Sequence, residues 1–164
     1  VARLRGAERL PTSRATSAGG IVLREVDGRH QVVLGRRRRE RDRATWSLPK
    51  GTPDGDETRE ATALREVTEE TGLLVRILAP IGDVAYTFVR GGRRIDKTVH
   101  YYLMEVTGGD LADHDHEFEA VAWFDLSEAE ALMSYPTERE ILARALPVAG
   151  IAADADRPGT APVS

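Results

Sequence analysis

Gly51 to Leu73 reads GTPDGDETREATALREVTEETGL, and the rest of the chain is organised around it. Asp54-Gly55 is a turn signal, Asp56 is placed to cap a helix, and Gly72 stands where a left-handed residue would end it. The pattern predicts a helix from about Glu57 to Thr71. At about 100° per residue, Ala61, Leu64, Val67 and Thr71 fall on one stripe, with Glu66, Glu69 and Glu70 roughly opposite. One face is expected to pack and the other to gather carboxylates. Like charges three and four residues apart cost an isolated helix about 0.2–0.5 kcal/mol per pair. A hard divalent cation reverses that sign, because Mg²⁺ or Mn²⁺ takes oxygen ligands from carboxylates and phosphates.

A Glu-rich helix face is ordinarily a solvated surface. The loop that precedes this one changes the reading. Trp46-Ser47-Leu48-Pro49-Lys50-Gly51 leads from a strand-like segment into Gly-Thr-Pro-Asp-Gly, and a glycine-containing loop that delivers backbone groups to a helix handles phosphate. Loop and acidic helix together point to a metal-diphosphate site.

The same residues carry a family resemblance. Gly51, five residues, Glu57, seven residues, then Arg65-Glu66-Val67-Thr68-Glu69-Glu70-Thr71-Gly72-Leu73 matches every fixed position of the Nudix box, G-x5-E-x7-R-E-U-x-E-E-x-G-U with U aliphatic. The resemblance implies an α/β fold, an α/β/α sandwich with a mixed β-sheet and the Nudix loop and helix. It implies hydrolysis of a nucleoside diphosphate linked to another group, with Mg²⁺ as cofactor and Mn²⁺ as a substitute. By the same resemblance Glu66, Glu69 and Glu70 are metal ligands together with the Lys50 carbonyl. Glu117 is a further ligand or the water-activating base, with Glu119 as its competitor. The base stays open among Glu69, Glu70 and Glu117. By the same resemblance Arg65, together with Glu57, orients a box carboxylate.

Composition sets the surroundings. The 164 residues suffice for one domain with a real core, and 41% hydrophobic with 30% charged residues is a soluble globular balance. No apolar run approaches the roughly 18 residues of a membrane span, and no signal-peptide pattern is evident, so no membrane partner and a cytoplasmic setting are expected. The absence of cysteine excludes disulfides, zinc thiolates and thiol nucleophiles. A net charge of −4 argues against a nucleic-acid partner. A small nucleotide is the expected partner, and the oligomeric state is not legible.

In chain order, residues 1–16 read as a flexible arm, 17–147 as the Nudix domain and 148–164 as a disordered tail. Ala18 to Leu23 and Gln31 to Leu34 are strand-like and joined across Asp27-Gly28, a hairpin signal. Arg36 to Arg43 is a basic run that reads as a solvated loop or as a source of one or two guanidiniums for a polyphosphate, Arg43 being the candidate carried forward. Leu74 to Leu78, Val84 to Val89 and Ile95 to Val106 read as strands, the last with Val99, Tyr101 and Leu103 on one face and His100, Tyr102 and Met104 on the other. His114 and His116 in the acidic loop before Glu117 read as solvated. Ser127 to Glu130 and Thr137 to Glu140 are capping-box sequences, predicting two short closing helices.

Substrate signals are weaker. The only lysines, Lys50 and Lys97, sit at motif-like places in a chain that otherwise uses arginine. With the loop and Glu117 they resemble bacterial diadenosine tetraphosphate hydrolases and MutT-like nucleotide pyrophosphatases. That resemblance makes Lys50, Gly51 and Lys97 phosphate-binding residues, with Tyr86 or Tyr102 stacking on a base. Asymmetric cleavage of a dinucleoside polyphosphate is the leading expectation, and a (deoxy)nucleoside triphosphate pyrophosphatase the alternative. ADP-ribose hydrolysis and a non-catalytic nucleotide sensor rank below both.

Overall fold

The computed structural model describes residues 9–38 and 43–152. The sequence readings that fall on residues 1–8, 39–42 and 153–164 lie outside the described residues.

Strand β1 (Thr12–Val26) turns through Asp27 and Gly28, both at positive φ, into β2 (Arg29–Arg38), as the Asp-Gly signal predicts. The two pair antiparallel only near the hairpin, from Leu23 opposite Val32 to Val26 opposite Arg29. Beyond that β1 leaves β2 and runs parallel to β6 (Arg93–Gly109), Thr12 matching Arg94 and Val22 matching Met104. Strand β6 pairs antiparallel with β5 (Leu73–Arg90) across the Gly91-Gly92 turn. Strands β3 (Ala44–Ser47) and β7 (Ala120–Asp125) flank β2, and the two-residue β4 (Lys50–Gly51) pairs with Ala18 and Gly19 of β1. The described residues thus form a mixed sheet of seven strands, ordered β3-β2-β1-β6-β5, with β4 and β7 off this path.

Residues 18–22 are buried without a break, the signature of a strand covered on both faces. Alternation sends Ala18 and Val22 with Val33, Tyr102 and Met104 to one side, where helix α1 (Arg59–Thr71) adds Ala63 and Val67. Ile21 goes the other way with Val32, Val84, Val99 and Tyr101, covered by Ala129 of α2 (Leu126–Leu132) and by Ile141, Leu142 and Ala145 of α3 (Pro136–Val148). The result is the expected α/β/α sandwich. Among the described residues no helix is long and apolar enough to cross a membrane.

Several local expectations are corrected. Thr12 to Thr16 belongs to β1 rather than to an arm, because β6 supplies it with a ladder. At the other end Val148 still belongs to α3, and Ile151 is buried and donates its N–H to the Leu146 carbonyl. Leu74 to Leu78 and Val84 to Val89 are parts of one strand, β5, interrupted only by register shifts around Leu74, Ile77 and Pro80. The two closing helices exist, yet Asp125 and Tyr135 occupy their N-cap positions. Neither makes a side-chain cap, so Ser127 and Thr137 lie inside the first turns.

Candidate metal and diphosphate site

Helix α1 begins two residues later than its sequence suggests. Thr58 is the cap, its hydroxyl accepting the Ala61 N–H at 3.1 Å, while Asp56 stays exposed. Glu57 is occupied elsewhere: its carboxylate accepts from Arg65 Nε at 2.8 Å, from the Thr62 hydroxyl at 2.8 Å and from the Asp54 N–H at 3.1 Å. Arg65, followed by these lesser bonds, holds the Glu57 carboxyl down at about 2. The helix ends at Gly72, at φ 78°, where a Cβ would overlap the Asp110 carbonyl.

The expected division of α1 into one packed and one acidic face is not what forms. Thr62, Ala63, Val67, Glu70 and Thr71 are buried and Ala61 is exposed, so the packed face is rotated to include a carboxylate. The reason is tertiary: β1 and the Leu48–Gly51 loop lie over the helix on that side. Glu70 is 1% exposed, with Oε2 accepting the Lys50 N–H and Oε1 accepting Arg37 Nη2, each at 2.9 Å. Burial pushes its carboxyl up to about 8 against the pull of Arg37 and the Lys50 N–H, and the negative charges of Glu66 and Glu117 add to the rise. Glu66 lies directly against Gly51, where any Cβ would fall within its carboxylate. It too is raised, by burial first, with Arg65 opposing and Glu69 and Glu117 reinforcing. Glu69 is about half exposed, its side chain at 49%.

Two guanidiniums bind these carboxylates together. Arg65 joins Glu57, Glu66 at 2.9 Å, Glu69 at 3.2 Å and the Thr52 carbonyl at 3.0 Å, and its charged form is held strongly, by Glu57 first. Arg37 joins Glu70 to Glu117, whose carboxylate lies 3.0 Å from Nη1. Strand alternation sends the two loop carboxylates to different arginines. Arg37 points to the box and takes Glu117; Arg36 and Arg38 point the other way and take Glu119, the Arg36 contact being an ion pair at 2.8 Å without hydrogen-bond alignment.

A NUDIX domain model matches residues 14–145. The chain belongs to the Nudix family. It is 45% identical over 141 residues to a Mycobacterium tuberculosis protein named "Putative mutator protein MutT4", covering 84% of this chain and 56% of that one. An 8-oxo-(d)GTP phosphatase of Mycolicibacterium smegmatis is 36% identical over 99 residues, covering 60% of this chain and 29% of that protein. The chain therefore spans only part of the length of both relatives. Among solved structures, a Caenorhabditis elegans Ap4A hydrolase binary complex superposes with a TM-score of 0.68 at 23% identity, covering 84% of this chain and 99% of that one, which shows the shared fold.

The Nudix fold brings most of the sequence candidates together. Arg65 with Glu57, Glu66 and Glu69, and Arg37 with Glu70 and Glu117, form two ion-pair clusters beside Lys50 and Gly51. Lys50 Nζ runs on to the Tyr86 hydroxyl at 3.3 Å and lies 5.5 Å from the centre of its ring. Lys97 stands opposite Tyr86 across β5 and β6, its ammonium destabilised by burial and then by the charges of Lys50 and Arg90. Two candidates fall elsewhere. Tyr102 is buried on the α1 side of the sheet, its hydroxyl donating to Glu60 at 3.2 Å, because even-numbered residues of β6 face α1 while Lys97 faces the opposite side. Arg43 is exposed at the start of β3, outside the Arg37 network. Arg37 was hidden in the basic run; extending the β2 alternation from Val33, which faces α1, lands on it.

No three acidic or histidine side chains among the described residues already converge at metal-ligand spacing. Their chemistry nevertheless fits a hard cation. The donors are all oxygens, Glu70 is buried and Glu66 partly buried, burial first and neighbouring negative charge second raise both carboxyls, and Gly51 leaves room for Glu66 alone. Arg37 and Arg65 supply positive charge to these carboxylates.

Proposed function

We propose that this chain hydrolyses a nucleoside polyphosphate at a diphosphate linkage with Mg²⁺, Mn²⁺ substituting, and that dinucleoside polyphosphates of the diadenosine tetraphosphate type are its substrates. The observation that carries this reading is the sorting of charge about the Leu48–Gly51 loop. On one side stand Glu66, Glu69, Glu70 and Glu117. On the other stand Lys50 and Lys97 beside the Tyr86 ring, and among the described residues neither lysine has an ion-pair partner. Two unpaired cations that repel each other favour an anion longer than a single diphosphate, since each further phosphate relieves the repulsion.

Glu66, Glu70 and the Lys50 carbonyl would hold the cation, with Glu69 and Glu117 completing its shell. Bound there, a divalent cation neutralises the diphosphate oxygens and lowers the pKa of a coordinated water. Glu57 keeps Arg65 in place, and Arg65 steers Glu66 and Glu69. Lys50 and Lys97 bind the outer phosphates, and Tyr86 offers a ring to a base. Glu69 and Glu117 are the exposed carboxylates, open to water from outside the arginines, so one of them takes the proton of the attacking water.

The names of the two relatives favour a second reading, a MutT-like (deoxy)nucleoside triphosphate pyrophosphatase. Product analysis on a nucleotide panel separates the two. ATP and AMP from diadenosine tetraphosphate, with slower turnover of triphosphates, supports the first; nucleoside monophosphate and pyrophosphate as the dominant products supports the second. Tight binding without turnover on every diphosphate would refute both.

A further inference from the structure

Two buried carboxylates, one from each helical layer, hold the same short piece of backbone. Glu70 of α1 accepts the Lys50 N–H at 2.9 Å, and Glu138 of α3 accepts the Leu48 N–H at 2.8 Å. Between them the Pro49 carbonyl accepts the Gly20 N–H of β1 at 3.2 Å. Three consecutive loop residues are thereby tied to α3, to the sheet and to α1.

Glu138 is an expensive residue to keep where it is. It is 2% exposed in the first turn of α3, within one turn of Ile141 and Leu142 of the apolar core. Its Oε2 and the buried Tyr101 hydroxyl interact with each other but do not form a well-aligned hydrogen bond. Burial pushes the Glu138 carboxyl up to about 7, against the pull of Lys50, the Leu48 N–H, Tyr101 and Arg37. A buried acid with a single well-aligned hydrogen bond costs stability, and an apolar side chain of similar volume would pack there at lower cost. Stability therefore does not account for this carboxylate. Its one well-made hydrogen bond is to the loop that carries Lys50.

We propose that Glu138 is a positioning residue: it fixes the Leu48–Lys50 backbone from the face opposite α1, and with it the placement of Lys50, whose N–H meets Glu70 and whose ammonium reaches Tyr86. This inference rests on the reading of Lys50 and Glu70 as parts of the site. Loss of the acceptor leaves the buried Leu48 N–H unpaired, and the loop relaxes away from Glu70 to find a partner. A shift of about 1 Å at a reacting centre lowers turnover by about 100-fold.

The test compares Glu138→Gln, Glu138→Met and Glu138→Ala in the full chain by thermal melting, by amide hydrogen exchange of the metal-free protein and by steady-state kinetics. Gln keeps a carbonyl acceptor, Met keeps the volume without one, and Ala has neither. With E138Q, exchange at Leu48 and Lys50 stays protected and kcat remains within about threefold of wild type. With E138M and E138A, both amides exchange at least about tenfold faster while Ile141 and Tyr101 do not, and kcat falls more than KM rises. Unchanged loop protection and kcat in E138M would overturn the proposal, as would an E138Q that falls as far as E138M. Should the wild type hydrolyse no nucleotide, the functional reading fails, and the exchange pattern still decides the role of Glu138.

Discussion

Replacing Glu70 by Gln is expected to inactivate the protein and, at alkaline pH, to stabilise it. Glu70 titrates near 4.5 in the unfolded chain and at about 8 when folded without metal. Between these values the unfolded state has shed a proton that the native state keeps, so stability falls as pH rises from about 4.5 to about 8 and is level beyond. The span is about 3.5 pH units, which at about 1.36 kcal/mol per unit gives about 5 kcal/mol as the order of magnitude. Gln has no proton to lose and keeps the acceptor for the Lys50 N–H. The stability difference, E70Q minus wild type, should therefore be near zero at pH 4.5 and climb by several kcal/mol by pH 9. Urea unfolding in EDTA at pH 5, 7 and 9 measures it, followed by the fluorescence of Trp46 and Trp123. Saturating Mg²⁺ should flatten the wild-type slope, because binding requires the deprotonated carboxylate. A difference that stays constant across pH would refute the reasoning, and would mean that Arg37 and the Lys50 N–H compensate the burial of a fully ionised Glu70.

Gly51→Ala forces the Glu66 carboxylate to move, since the new Cβ would occupy its position, so turnover should fall at least about tenfold with a destabilisation of about 1–3 kcal/mol, read by kinetics and thermal melting. Arg65→Ala removes the partner of Glu57, Glu66 and Glu69 together; Tm and kcat should both drop, and Arg65→Lys should restore little, because one ammonium cannot reproduce the guanidinium fork. Lys97→Ala should raise KM for tetraphosphate-linked substrates by about tenfold or more with a smaller change in kcat, the pattern of lost phosphate binding. Tyr102→Phe should leave KM and kcat within about twofold, because its hydroxyl donates to Glu60 on the other side of the sheet, whereas Tyr86→Ala should weaken binding. An equal loss in Y102F and Y86A would contradict the placement of the substrate beside Lys50 and Lys97.

Legibility was uneven for physical reasons. The box carried its own spacing, so Glu66, Glu69 and Glu70 could be named from helical periodicity, and Glu57 and Arg65 through the resemblance that the spacing carries. The Asp27-Gly28 and Gly91-Gly92 turns were equally local, since each depends on backbone conformations that few residues adopt. The start of α1 was misplaced because Glu57 is held by Arg65 eight residues away, a contact that no capping rule contains. The parallel pairing of Thr12 to Thr16 escaped notice because strand propensity does not reveal a partner more than eighty residues distant.

What the sequence by itself determined is the family, through the fixed spacing of the box residues from Gly51 to Leu73, and with it a row of acidic side chains behind a glycine loop. Tertiary structure decided the electrical state and the reach of those groups. It buried Glu70 under the Leu48–Gly51 loop, chose Arg37 and Glu117 from runs of similar residues, put Lys97 beside Tyr86 and sent Tyr102 to the other face. Spacing along one helix is short-range and written in the chain, while burial and pairing across layers exist only once the sheet has brought distant segments together.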